Sequence, residues 1–279
     1  MKSDNAARPL DPIERAHLKD PRDASHVIHR YVPDPAFDGL LRRFWIPVWS
    51  VPPGREAPQK VLQHPVCLLV VAADYDRFYG VVSGLSTTTL SGDGWAVGVM
   101  LAPAAGFLVA GSPVAAFTDR FVDLAALLGA DGTRLVQRVR AAMAPEPHSM
   151  TAHRAAMDAF GDALRRYLPV DEEGLLVNRL VAFVESNSDV LRVAQVCDQF
   201  GLPERALQRL VHRRLGLPPK WLIQRRRLQE AAERLRERGT TLAETASVLG
   251  YADQPHFSRD FARVTGMTPG EFSALHERG

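Results

Sequence analysis

The sequence predicts two domains: a mainly β N-terminal domain, barrel or sandwich, with connecting helices, then an all-α C-terminal domain carrying two helix-turn-helix units. Three observations predict it. The chain has 279 residues, and one domain takes about 100 to 200. The apolar period changes from strand-like to helical just after Phe121. A residue pattern in the C-terminal part recurs fifty residues further on.

Composition sets the outer limits. With 46% hydrophobic and 24% charged residues, the chain has enough apolar side chains for real cores, which excludes a disordered class. The start of the chain carries Lys2, Asp4, Arg8, Pro9, Asp11, Pro12 and Glu14 where a secretory signal needs an apolar core. No apolar run approaches the ~18 residues that span a bilayer. These features predict a cytoplasmic protein without membrane association. Cys67 and Cys197 fall in different predicted domains, so they read as two reduced structural thiols, not as a disulfide framework or metal cluster.

Charge is distributed unevenly. From Leu175 onward there are 16 Lys and Arg against 12 Asp and Glu, and before it 18 against 20. A basic C-terminal part suits an anionic partner, although solvated helices produce the same balance.

Residues 1–24 are polar and proline-containing and read as a flexible arm. Over 25–128, short apolar and aromatic runs (Leu41 to Ser50, Val66 to Ala72, Arg77 to Val82, Ser86 to Leu90, Ala96 to Leu101) alternate with turn residues such as Pro52-Pro53-Gly54, Ser83-Gly84 and Gly92-Asp93-Gly94. Many short strands imply an antiparallel sandwich or barrel. Residues 129–174 read as connecting helices. In Thr151 to Leu168 a stripe of Ala156, Phe160, Ala163, Leu164 and Tyr167 suits either packing on its own domain or a subunit contact.

Residues 175–279 read as helix, and here the repeat is clearest. Leu207, Arg209, Val211, Gly216 and Pro219 return as Phe257, Arg259, Phe261, Gly266 and Pro269. Before each copy a short helical pattern ends in glycine: Val193, Val196 and Phe200 before Gly201, and Leu242, Ala246 and Val248 before Gly250. Each copy is helix, glycine turn, helix, the arrangement that lays a second helix in the DNA major groove. Leu207, Leu210, Val211 and Leu215 hold the first recognition helix to its core, and Phe257, Phe261 and Val264 hold the second. Arg205, Gln208, Arg209 and His212 then face outward on one helix, and Gln254, His256, Ser258, Arg259 and Arg263 on the other. Arg reads guanine through two bonds and Gln reads adenine through its amide, which is the chemistry of base recognition. Surface solvation is the competing reading for any one of them; two parallel sets at matching positions weigh against it.

Between the units, Pro219 to Arg238 is predicted as one continuous helix, with Trp221, Leu228 and Leu235 at seven-residue spacing. If it sets the recognition helices about 34 Å apart, they enter successive turns of the major groove. Arg225, Arg226 and Arg227 read either as phosphate contacts or as a helix surface paired to Glu230 and Glu233.

With the paired units, the Leu207-Gln208-Arg209-Leu210-Val211 run, its counterpart Phe257-Ser258-Arg259-Asp260-Phe261, and the closing Gly266-Met267-Thr268-Pro269, residues 175 to 275 resemble the DNA-binding domain of the AraC/XylS regulators. The resemblance implies base contacts from Arg205, Gln208 and Arg209 in the first unit and from Pro255, His256 and Arg259 in the second, with Gln254 close by. Pro255 stands where the family often has a polar reader and is set aside. Thr245 at a usually apolar position and Phe272-Ser273 in place of Tyr-Arg are further departures. The stretch from Tyr31 to Leu128 resembles, less specifically, a cupin-like sensor domain, through Leu62 to Leu68 and Pro113 to Leu128.

A cupin-type metal enzyme fused to a DNA-binding module is the rival reading. A metal site of that kind needs two or more His and a carboxylate converging on one ion. The predicted strands offer only His64, with His26 and His29 at the edge. No catalytic residue, metal ligand or cofactor is therefore assigned, and the chain reads as a non-enzyme. Phe44, Trp45, Trp49, Phe78, Tyr79 and Trp95 suit either a ligand pocket or a core. The expected partners are double-stranded DNA, a small-molecule effector of unspecified identity, optionally a second copy of the chain, and RNA polymerase if the protein is an activator. An N-terminal domain serving only protein interaction, without a ligand, is the remaining alternative.

Overall fold

The computed structural model describes residues 16–18, 22–237 and 239–277. Most of the expected arm lies outside these residues. The part that is described departs from that reading, because residues 16–18 run beside a strand: Leu18 N–H donates to the Lys60 carbonyl (2.8 Å) and Leu62 N–H to that of Ala16 (2.7 Å). Ala16 and Leu18 are buried, so apolar side chains dock this segment.

The N-terminal domain is built on β1 (His26–Tyr31), β2 (Leu41–Val51), β3 (Ala57–Val61), β4 (Leu68–Ala72), β5 (Asp76–Tyr79), β6 (Ser86–Leu90), β7 (Gly92–Leu101) and β8 (Phe121–Val122). Six strands form one antiparallel sheet in the order β1-β2-β7-β4-β5-β8, and β3 and β6 form a separate two-stranded ribbon. The expected barrel or sandwich thus takes the form of an open sheet and a ribbon. Strand alternation sorts the side chains: Phe44, Ile46, Val48, Leu69, Val71, Phe78, Trp95, Val97, Val99 and Leu101 enter the main core. The opposite face carries Leu68, Val70, Ala72, Ala96 and Met100 beneath half-buried Trp45, Trp49, Tyr75 and Tyr79. The six aromatics named from sequence therefore divide between core and outer face.

Three strands, β1, β3 and the two-residue β8, lie outside the five runs read as strands. β1 is an edge strand of mixed polarity, and β3 contains Pro58, which a ribbon edge tolerates because its missing N–H costs no central ladder bond. Gly92-Asp93-Gly94, expected as a turn, opens β7. The Trp49 indole lies across Gly94 and that of Trp45 across Gly98, so close that a β-carbon on either glycine would stand within about 2.3 Å of the ring.

Helices cover the inner face: α1 (Ala105–Ala110), α2 (Leu124–Leu128), α3 (Ala130–Met143) and α4 (Met150–Leu164). The α4 stripe packs on its own domain, with Ala156, Phe160 and Leu164 in the sheet core and Ala163 and Tyr167 at its margin. The connecting helices are thus part of the N-terminal core.

The C-terminal helices are α5 (Glu172–Ser186), α6 (Val193–Phe200), α7 (Glu204–Leu215), α8 (Pro219–Arg234), α9 (Leu242–Val248), α10 (Gln254–Thr265) and α11 (Pro269–Glu277). They enclose two cores. One joins α5, α6, α7 and the start of α8 around Leu207, Val211, Leu215 and Leu222. The other joins the end of α8 to α9, α10 and α11 around Leu228, Leu235, Phe257, Phe261 and Phe272, and takes Leu18 and Leu62 from the N-terminal domain.

Candidate nucleic-acid interface

Each unit is made by a short helix, a left-handed glycine and a second helix. Gly201 (φ 62°) follows α6 and Gly250 (φ 72°) follows α9, a conformation that a side chain makes costly. Thr241 and Glu244 start α9 with a reciprocal capping box, and Asp253 caps α10 by accepting from the His256 N–H at 2.6 Å. The residues expected to anchor the recognition helices α7 and α10 do so: Leu207, Val211, Leu215, Phe257 and Phe261 are buried. One packing detail differs, in that Val248 is 59% exposed and its neighbour Leu249 takes the core position.

The remaining faces of α7 and α10 open to solvent. Arg205, Gln208, Arg209 and His212 are exposed on α7, and Gln254, His256, Arg259 and Arg263 on α10; Ser258 is half-buried. Gln208 donates to Glu204 one turn earlier at 2.9 Å, and Arg263 is paired with Asp260. The exposed Glu204 is a partner that a base edge can replace. Thr245 settles into its apolar surroundings by returning its hydroxyl to the Thr241 carbonyl at 3.0 Å. Phe272 packs edge-to-face against Phe261 in the core, and Ser273 donates to the Leu235 carbonyl at 3.2 Å.

The arginine triplet keeps the intrahelical pairing reading at one position, Arg226 with Glu230, and departs from both readings at the other two. Arg225 is buried and donates to the carbonyls of Ser83 (2.7 Å) and Gly84 (2.9 Å) in the N-terminal domain. Burial pulls its guanidinium down to about 10, against a smaller opposing effect of Asp119. Arg226 is also buried, bonding the Val190 carbonyl (2.7 Å) and Glu230 (3.0 Å). Arg227 lies 3.8 Å above the Tyr251 ring. Successive helix positions are about 100° apart, so three neighbours cannot share one DNA-facing side.

Arg225 belongs to a larger seam that sequence reasoning missed. Trp221 Nε1 donates to Ser83 (2.9 Å), Gln229 to the Leu62 carbonyl (2.8 Å), and Arg236 to the His17 carbonyl (2.7 Å). On α5, Glu185 accepts from Arg42 (2.6 Å) and is bonded to His64 Nδ1 (2.9 Å). Burial would raise the Glu185 carboxyl, yet the His64 bond and the Arg42 charge overcome it and bring it to about 2. At the end of α7, Thr118 donates to the Gly216 carbonyl at 3.2 Å. Arg214, buried under Phe107, pairs with Asp171 and Glu173.

His64, the one histidine expected within the strands, is therefore spent on Glu185. Among the described residues no group of three or more His, Cys, Asp or Glu is placed to hold a metal ion. Cys67 is fully buried, and burial pushes its thiol up to about 12, far from a reactive thiolate. No helix among the described residues is long and apolar enough to cross a membrane.

Residues 196–274 match the family model described as a helix-turn-helix domain. The C-terminal unit carries a helix-turn-helix domain. Residues 29–123 match a second model, a domain of unknown function (DUF6597), which covers the six-stranded sheet from the middle of β1 onward. Curated relatives include the HTH-type transcriptional activator RhaS of Pectobacterium atrosepticum, 31% identical over 94 residues, covering 33% of this chain and 34% of RhaS. RhaS of Escherichia fergusonii is 32% identical over 96 residues, covering 34% of each. These matches span about a third of the relatives' length. Among solved structures, the C-terminal domain of AraT from Geobacillus stearothermophilus is 25% identical, with a TM-score of 0.34 over 38% of this chain and 87% of that one. ToxT of Vibrio cholerae is 11% identical, with a TM-score of 0.40 over 93% and 98%.

Proposed function

We propose that this protein is a sequence-specific DNA-binding regulator of transcription, not an enzyme, in which the N-terminal domain controls the AraC-type domain. One observation carries the reading: two repeated units each present an exposed polar edge, Arg205, Gln208, Arg209 and His212 on α7 and Gln254, His256, Arg259 and Arg263 on α10, with Arg209 and Arg259 at the same repeat position. Both edges carry guanine- and adenine-reading side chains on helices of major-groove size. The named role of the RhaS relatives as transcriptional activators supports the same reading.

Control by the N-terminal domain follows from the seam along α8. That helix joins the two units, and Trp221, Arg225, Gln229 and Arg236 fasten it to N-terminal carbonyls. An effector or partner that shifts the Ser83 or Leu62 segment changes the stability of this fastening, and with it the population of DNA-competent geometries. The effector in this reading is a small molecule of unspecified identity.

Selection of bound sequences from a random duplex pool, with the full chain at two salt concentrations, tests the reading. Enrichment of one motif with two elements about a helical turn apart is the expected result. Binding without enrichment that only fades with salt would reduce the protein to a nonspecific phosphate binder.

A further inference from the structure

We infer that Asp260 is the positioning residue that seats the second recognition helix on the connector, and that the base preference of the second unit depends on it. The inference rests on the DNA-binding reading above. Asp260 lies on α10 directly after Arg259, one helical step round from the exposed edge, and its side chain is 11% exposed. Both carboxylate oxygens accept from the Gln224 amide of α8, at 2.8 and 2.9 Å. Oδ2 also accepts from the Tyr251 hydroxyl at 3.0 Å, and Oδ1 from Arg263. A carboxylate has about four acceptor sites, so every one is filled, by donors from the connector, from the turn before α10 and from α10 itself.

The surroundings keep this arrangement in place. Tyr251 is buried, its ring covered by Arg227 of α8 at 3.8 Å and flanked by His256 and Phe257 of α10. Burial and the adjacent Asp260 hold its phenol far above the ordinary tyrosine range, so the hydroxyl stays a donor.

The two units differ at this point. Fifty residues earlier, the position matching Asp260 is Leu210, a core residue of the first unit. Apolar packing is non-directional, and it seats α7. A four-bond carboxylate is directional, and it fixes both the rotation of α10 on α8 and the side chain of Arg263. The two recognition helices therefore meet α8 by different physics: α7 through apolar side chains, its ionised Arg214 being turned instead to Asp171 and Glu173, and α10 through one carboxylate.

The test uses the full chain and the duplex selected by the wild type, together with two versions that scramble one element each. Asp260→Asn keeps the shape but sets an amide donor against the donors around it. Discrimination at the second element should fall about tenfold or more, the size of one lost bidentate base contact. Discrimination at the first element and the salt slope should not change. The exchange Gln224→Glu with Asp260→Asn restores one acceptor and one donor across the same contact, and should recover much of the loss. Tyr251→Phe, which removes one of the four bonds, should give a smaller loss of the same kind. Equal loss at both elements, tracking a lowered melting temperature, would make Asp260 a stability residue only. Unchanged discrimination at the second element in Asp260→Asn would overturn the inference by itself. A wild type that selects no two-element motif would instead overturn the DNA-binding reading on which it rests.

Discussion

The Arg225 guanidinium of α8 and the Ser83 carbonyl of the β5–β6 loop meet at 2.7 Å, and the same carbonyl accepts Trp221 Nε1 at 2.9 Å. One backbone oxygen thus receives two side chains from the helix that links the DNA-reading units. Arg225→Met removes the charged donor while keeping most of the packing. The loss should be about 1.5–3 kcal/mol, the usual worth of a hydrogen bond to a charged group. Urea unfolding measures it, and an unchanged midpoint would make the contact incidental.

Acid should loosen the seam through Glu185. Its carboxyl ordinarily titrates at 4.5 and is lowered to about 2 in the folded protein. A depressed carboxylate contributes stability that is full above the unfolded value and is lost as pH falls toward the folded one. The window is therefore about pH 4.5 down to 2, and the contribution is on the order of 3 kcal/mol. Glu185→Gln should flatten the stability profile across that window. An unaltered profile would show that other carboxylates govern it.

Gly216 closes α7 at φ 76°, and a β-carbon there would stand 3.1 Å from the Ala115 backbone and closer still to the Thr118 hydroxyl. Gly216→Ala therefore meets both an unfavourable dihedral and the neighbouring domain. It should destabilise by more than the roughly 1 kcal/mol that separates glycine from alanine at ordinary sites. Calorimetry would show a lower melting temperature, and a neutral result would mean that this junction yields.

At the DNA face, Arg209→Ala or Arg259→Ala should weaken specific binding by roughly 1–3 kcal/mol and nonspecific binding by much less. Binding titrations on the selected duplex and on random duplex separate the two. Equal losses on both would reassign these arginines to phosphates.

The sequence made the C-terminal domain readable because its determinants are local and doubled. Glycines 201 and 250, the apolar positions of α7 and α10 and the exposed Arg and Gln edges all follow from helical period alone. The seam was not readable, because Arg225, Gln229 and Arg236 find their acceptors on residues more than a hundred positions earlier. Consecutive arginines look alike in sequence, whereas in the fold one is clasped by carbonyls, one is ion-paired and one covers a tyrosine. Asp260 was hidden within a motif whose neighbours attract attention as base readers. In the β domain, turn chemistry misled at Gly94, where the reason for glycine is the Trp49 ring, whereas Gly92, at φ 56° where β6 gives way to β7, keeps its turn role.

Among the described residues, the bonds that Trp221, Arg225 and Gln229 of α8, and Arg236 just beyond it, send to the N-terminal domain all end on main-chain carbonyls, at His17, Leu62, Ser83 or Gly84. A carbonyl is present whatever residue bears it. Mutation therefore meets the two sides of these bonds unequally: the acceptors depend on the path of the backbone, with Leu62 held on separate grounds by its place in the α8–α11 core, while Arg225, Gln229 and Arg236 must keep their side chains. At these bonds one domain supplies only the path of its backbone, and the other supplies the side chains that grip it.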